Sequence, residues 1–212
     1  MSFLSREEAG QKLGQLLLDK KVEVDVVLGL PRGGVIVAAE VARMLERPLD
    51  VLVVRKIGHP WNREFAVGAL AEDDTLVLDG AMDLADSREL DDVMAEERER
   101  LAGYCAKFHE GKIRMLQNLR VLLVDDGLAT GATTEAAVRC VRKRGAARVI
   151  VAIPIASDTA AARIQKVADD VLAVIVDPSF MAVGQYYRHF PQSTDEEVIA
   201  LLQKQPQPRK EN

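Results

Sequence analysis

Short apolar runs bounded by charge or glycine alternate along the chain with segments whose apolar positions recur every three or four residues. Val26-Val-Leu-Gly-Leu30, Leu49-Asp-Val-Leu-Val-Val54, Leu119 to Val124, Arg148 to Ile153 and Asp170 to Val176 read as strands. They carry little polar alternation, as expected of parallel strands covered on both faces. Ser5 to Lys20 reads as an amphipathic opening helix, with Ser5 as a cap before Arg-Glu-Glu. Helical spacing returns at Val35 to Arg43, at Glu135 to Arg142, and from the capped start Ser193-Thr-Asp-Glu-Glu197 to Leu202. Strands alternating with helices predict an α/β fold, a mostly parallel sheet with flanking helices. An excursion over 57–118 interrupts the alternation. It holds Phe65-Ala-Val-Gly-Ala-Leu70, a hairpin partner at Thr75 to Leu78, and a charged helix from Ser87 to about Phe108. Residues 1–205 are expected to form one domain, with 206–212 a polar flexible tail.

Composition narrows the function. With 212 residues, 48% of them hydrophobic and 4% aromatic, the chain can bury a sizeable aliphatic core. A net charge of -5 argues against a broad nucleic-acid face, so any binding of polyanions has to be local. Cys105 and Cys140 lack metal-ligand spacing in the sequence. With no apolar leader and no membrane-length run, the expectation is a reduced, cytoplasmic protein without a membrane partner.

The most specific chemistry lies in Val121-Leu-Leu-Val-Asp125-Asp126-Gly127-Leu-Ala129-Thr130-Gly131-Ala132-Thr133-Thr134. A buried strand would deliver Asp125 and Asp126 at its carboxyl end. The small residues that follow leave backbone N–H groups uncovered at a helix N-terminus, where the dipole and the threonine hydroxyls favour a phosphate. Ionised carboxylates only accept hydrogen bonds, so they suit ribose hydroxyls better than the phosphate itself. A bland alternative is an acidic strand end before an ordinary cap. A P-loop is ruled out, because Ala132 rather than Lys follows Gly131.

A second strand opens a helix through Pro31-Arg32-Gly33-Gly34, where glycine permits close backbone approach and Arg32 offers a fork of donors. Arg55 and Lys56 follow the third strand, placed to meet a polyphosphate. Taken alone, these features equally describe a strand-to-helix turn and a solvated charge pair. Glu96-Glu-Arg98-Glu-Arg100 reads as a solvated helix face with opposite charges at helical spacing. His59, Trp61 and Asn62 follow the basic pair without a partner that would make a catalytic triad.

Together these segments resemble the type I phosphoribosyltransferases, whose signature is two acidic residues before a Thr-Gly-containing phosphate loop. The resemblance implies that Asp125 and Asp126 hold the ribose hydroxyls of phosphoribosyl pyrophosphate and that Ala129, Thr130, Gly131, Ala132, Thr133 and Thr134 bind its 5-phosphate. It assigns Pro31, Arg32, Gly33, Gly34, Arg55 and Lys56 to the pyrophosphate, and a lid role to the 57–118 insert. The segment 177–192 loosely resembles the base-side region of hypoxanthine-guanine transferases, with Phe180, Met181 or Val183 against a flat base and core packing as the alternative. Ala129 stands where the hypoxanthine-type enzymes have Asp, which weakens a 6-oxopurine assignment. The Leu-Pro-Arg-Gly-Gly, Asp-Asp-Gly-Leu-Ala-Thr-Gly-Ala-Thr and Val-Gly-Gln-Tyr-Tyr stretches are similar to those of a group of predicted phosphoribosyltransferases whose acceptor is not established.

The activity so implied is transfer of the 5-phosphoribosyl group to a nitrogen acceptor, a nucleobase or related heterocycle, with release of pyrophosphate. Mg2+ would be carried by the substrate rather than by a protein metal site. A homodimer is the family expectation. The alternative is a regulatory protein that binds phosphoribosyl pyrophosphate or a nucleotide without turnover. A ribose-pyrophosphate synthase fits less well, since that family resembles a longer chain with two such domains.

Overall fold

A computed structural model describes residues 2–79, 88–109 and 114–204. Its central sheet has five parallel strands: β1 (Val26–Gly29), β2 (Leu49–Val51), β6 (Arg120–Val124), β7 (Arg148–Ser157) and β8 (Asp170–Asp177). Their order in space is β2-β1-β6-β7-β8. Successive side chains alternate between two buried faces, which accounts for the unbroken apolar runs. Val27, Leu122, Val124, Ile150 and Ala152 join one core with helices α1 (Arg6–Asp19), α2 (Gly33–Leu45) and α6 (Asp195–Gln203). Val26, Leu28, Val121, Leu123, Val149 and Val151 join the other with α4 (Ala132–Lys143) and α5 (Asp158–Ile164). Each large side chain so covered contributes about 1.5–3 kcal/mol.

Local capping sets the helix starts. The Ser5 hydroxyl accepts from the Glu8 N–H at 3.4 Å, and Thr194 and Glu197 form a reciprocal capping box that opens α6.

The expected strand Leu49 to Val54 is in fact two strands in two sheets. Leu52 still donates to the Gly29 carbonyl, but the Val53 N–H is taken by the Glu72 carboxylate at 2.9 Å and its carbonyl by the Glu72 N–H. The chain therefore leaves the parallel sheet and enters a three-stranded antiparallel one, β3 (Val54–His59), β4 (Asn62–Ala71) and β5 (Leu76–Leu78). Arg55 and Lys56 lie inside β3, paired with Leu70 and Ala69, rather than at the end of a parallel strand. The expected pairing of the Phe65 to Leu70 segment with Thr75 to Leu78 is present as β4 and β5.

The charged helix is α3 (Arg88–His109), which packs on β3; Ser87 lies outside the described residues, as does the tail 206–212. Its Glu96 to Arg100 stretch is the solvated face expected of it, with Arg100 paired to Glu96 and Glu97 at helical spacing, except at Glu97 itself. Glu97 is 5% exposed and pairs with Arg55, while Glu96 meets Arg63 and Arg98 meets Asp74. A helix lying across a sheet turns one side toward that sheet, and here Arg55 of β3 offers Glu97 the opposite charge.

The two cysteines are unpaired. Cys105 nevertheless has the neighbours that its spacing did not reveal: its donor atom and those of Glu72 and His109 lie within 4.8 Å of one another. The Glu72 carboxylate is already engaged by three nitrogens, those of Val53 at 2.9 Å, His109 at 2.8 Å and Arg144 at 2.7 Å. Burial opposes charge on His109, but its contacts with Cys105 and Glu72 outweigh that and raise its pKa to about 9 from 6.5. Protonated His109 therefore stabilises the fold fully below about pH 6.5, and this contribution is lost as pH rises through about 9. Substitution of His109 by Gln is expected to lower unfolding stability by an amount on the order of 2 kcal/mol at pH 6, and by much less at pH 9.5, in urea titrations. An equal difference at both pH values would contradict the assignment.

Candidate active site

A cavity of about 720 Å³ opens where β1 and β6 end. Its floor is built by two strand-to-helix turns that dock on each other through glycine. A Cβ on Gly33 would fall 2.0 Å from Asp126 Oδ2, and one on Gly34 would fall 2.8 Å from the Asp125 Cα. Only hydrogen at those positions lets the start of α2 lie against the acids that leave β6. The Pro31–Arg32 peptide in this turn is cis.

Beyond the acids, the chain is tied down by its carbonyls. Leu128 bridges Ala156 of β7, Ser157 Oγ donates to the Ala129 carbonyl at 2.8 Å, and Arg163 Nη1 donates to that of Thr130 at 3.3 Å. Gly131 takes the left-handed conformation at φ +84° and caps α4. No acceptor among the described residues takes the amides from Ala129 to Thr133. With a helix dipole behind them, these amides form a nest for an anion. Ala129, Thr130, Gly131, Thr133 and Thr134 line the cavity, whereas Ala132 is buried beneath it.

Asp125 and Asp126 both line the cavity. Burial, and then the neighbouring Asp126 charge, pushes Asp125 well above the usual carboxylate range. Burial raises Asp126 as well, opposed chiefly by Arg6. Arg6 Nε lies 2.8 Å from Asp126 Oδ2, its Nη1 donates to the Pro191 carbonyl at 2.8 Å, and its guanidinium sits 3.8 Å over the Phe190 ring. Tyr187 completes this support by donating its hydroxyl to the Asp126 carbonyl at 2.6 Å.

Three cations face the acids. Pro31, Arg32, Gly33, Arg55 and Lys56 line the cavity, while Gly34 serves the packing just described. Arg32 is 3.7 Å from Asp195 and Arg55 is 2.9 Å from Glu97. Lys56 makes no ion pair among the described residues, and its charge favours ionisation of both aspartates.

On the remaining wall the expected base contacts need correction. Val183 lines the cavity, packed over Gly127. Phe180 does not; it stacks on Tyr186 at 5.6 Å and 12°, and Met181 is 81% exposed away from the lining. The aromatic residue at the cavity is Phe190, followed by Pro191, Gln192 and Ser193. The Ser193 hydroxyl is buried without a hydrogen-bond partner among the described residues. His59 and Trp61 are remote from the lining, at the β3–β4 turn. Sequence reasoning missed Arg6 and Phe190 to Ser193, because they reach the site through tertiary packing and carry no local motif.

The sequence model of the phosphoribosyl transferase domain family matches residues 5–189. Two Mycobacterium tuberculosis proteins, from strains CDC 1551 / Oshkosh and ATCC 25618 / H37Rv and each provisionally named a phosphoribosyl transferase, are 43% identical in an alignment that covers 94% of this chain. The chain spans 46% of the length of those relatives. The crystal structure of TT1426 from Thermus thermophilus superposes with a TM-score of 0.81 at 44% identity, covering 97% of this chain and 99% of that one.

The contact of Gly127 with Val183 is a test of how tightly this wall is packed. A Cβ on Gly127 would lie 2.5 Å from Val183 Cγ1 and 2.6 Å from Cγ2. Gly127→Ala is expected to cost about 1–3 kcal/mol in urea unfolding, with part of the loss recovered when Val183→Ala is added. Additive losses in the double variant would show that the clash is not the cause.

Proposed function

Because the chain belongs to the phosphoribosyl transferase domain family, we propose that it moves the 5-phosphoribosyl group from phosphoribosyl pyrophosphate to a nitrogen acceptor, a nucleobase or related heterocycle, and releases pyrophosphate. The observation that carries this reading is the single cavity edge shared by a buried acid pair, an anion nest and three cations. Each matches one part of the substrate: Asp125 and Asp126 the ribose hydroxyls, the Ala129 to Thr134 turn the 5-phosphate, and Arg32, Arg55 and Lys56 the pyrophosphate.

In the reaction, the C1–O bond to pyrophosphate breaks with its electron pair leaving on oxygen, the acceptor nitrogen's lone pair forms the C1–N bond, and the nitrogen then loses its proton. Positive charge develops on the ribose ring as the bond breaks, and the aspartate pair beside the ring stabilises it. The loops hold the two ends of the substrate so that C1 presents to the acceptor side, where Val183, Phe190 and Gln192 stand.

Mg2+ belongs to this reading as a companion of the substrate. The donor set fits that role: the carboxylates lining the cavity are Asp125 and Asp126, one of them already held by Arg6, which is too few for a protein cage. When bound, the ion would neutralise pyrophosphate oxygens, and water-mediated contact with the aspartates would keep it near. A cytoplasmic setting and a homodimer complete the proposal; among the described residues no helix is long and apolar enough to cross a membrane.

The Asp125→Asn/Asp126→Asn double variant is expected to lose phosphoribosyl pyrophosphate affinity by at least about a hundredfold, because charge-assisted hydrogen bonds to both hydroxyls are lost. Calorimetry measures the affinity. A pyrophosphate-release assay with Mg2+ and a panel of purine, pyrimidine, nicotinate-type and small amine acceptors measures turnover. Unchanged affinity in the double variant would sink the ribose assignment, and binding without release across the panel would favour a sensor.

A further inference from the structure

We propose that Glu97 is a positioning residue for the pyrophosphate subsite, holding the Arg55 guanidinium with its terminal nitrogens free to meet the leaving group. This rests on the phosphoribosyl pyrophosphate reading above. Glu97 does not line the cavity; Arg55 does. Glu97 Oε2 lies 2.9 Å from Arg55 Nε, and its other oxygen accepts from Arg100 Nη1 at 2.5 Å. The Arg55 guanidinium carbon also sits 5.4 Å from the centre of the Tyr104 ring. Glu97 and Tyr104 are two turns apart on α3, so one face of that helix grips the arginine from two sides. The contact occupies Nε and leaves the four N–H groups on Nη1 and Nη2 for a bidentate anion.

Simple electrostatics argues against a buried carboxylate at this place. A negative charge beside a polyanion site repels the ligand, and removing it should strengthen binding. The arrangement gains only if orientation outweighs repulsion. An unrestrained arginine samples many rotamers, and part of that freedom is lost whenever it closes on a ligand. A guanidinium already fixed by Glu97 and Tyr104 has lost that freedom before the pyrophosphate arrives. The same helix reaches the second arginine indirectly, since Lys107 Nζ meets Asp195 Oδ2 at 2.5 Å and Asp195 Oδ1 is 3.7 Å from Arg32. In this way the helix of the 57–118 excursion organises the cationic wall without entering the cavity.

The two effects predict opposite signs, which makes the test decisive. Calorimetric titration of magnesium pyrophosphate and of phosphoribosyl pyrophosphate into the full chain is compared for wild type, Glu97→Gln, Glu97→Asp and Tyr104→Leu, with urea unfolding used to verify that each variant is folded. Glu97→Gln is expected to weaken pyrophosphate binding about tenfold, Tyr104→Leu by less, and Glu97→Asp to recover most of the affinity. In an Arg55→Met background, Glu97→Gln should have no further effect. Equal or tighter binding by folded Glu97→Gln overturns the proposal, as does the same loss in the Arg55→Met background. Should Glu97→Gln not fold, unchanged affinity in Tyr104→Leu overturns it. A wild-type chain that binds neither ligand removes the functional reading itself, an outcome distinct from a variant that binds as wild type does.

Discussion

The acid pair at the end of β6 is the constraint on which the site depends. Two adjacent carboxylates withdrawn from water both resist ionisation, and the surrounding structure opposes that resistance with cations and fixes the pair in place. Arg6 supplies the counter-charge, Lys56 adds a weaker one, and Tyr187 fixes the backbone just after them. Gly33 and Gly34 follow from the same constraint, because the start of α2 has to lie within hydrogen-atom distance of the acids for both loops to share one cavity. A buried charge network of this kind gives little net stability. Its benefit is a defined geometry, which the proposed recognition of a sugar between two phosphates requires.

What was legible in the sequence was what is determined locally. Val26 to Leu30 and Val121 to Val124 read as doubly covered strands because both faces are apolar, and the loops after them read as anion turns because glycine and threonine there have few other uses. Thr194 and Glu197 announced their helix in the same way. Features set by tertiary contacts were not legible. Leu49 to Val54 has no internal mark of its division, since the group that ends the first strand is the side chain of Glu72, nineteen positions from Val53. Glu97 looked like one of five interchangeable charges, and only the packing of α3 on β3 distinguishes it. Phe180 offered the right chemistry for a flat base, yet its ring is engaged with Tyr186, while Phe190 stands at the cavity.

The wall around Phe190 bears on the choice of acceptor. One side of that ring is covered by the Arg6 guanidinium, and Tyr187 stacks near it at 4.8 Å and 29°. It stands at the cavity beside the branched side chain of Val183 and the polar Gln192 and Ser193. In the proposed reaction such a surface would recognise the acceptor by shape and hydrogen bonding more than by stacking.

The linkage through Arg6 also has a kinetic side. Arg6 joins Asp126 across 120 positions and Pro191 across 185, and Phe3 bridges Tyr187 alongside it. Contacts of such long range close large loops and are slow to form. During synthesis the parallel sheet can begin to assemble while the acid pair still lacks its counter-charge, and the cavity reaches its finished form only after the segment around Pro191 has left the ribosome and docked on the first helix. The cavity wall is thus completed later than the strands it borders, by joining α1 to a segment that follows β8 in the chain.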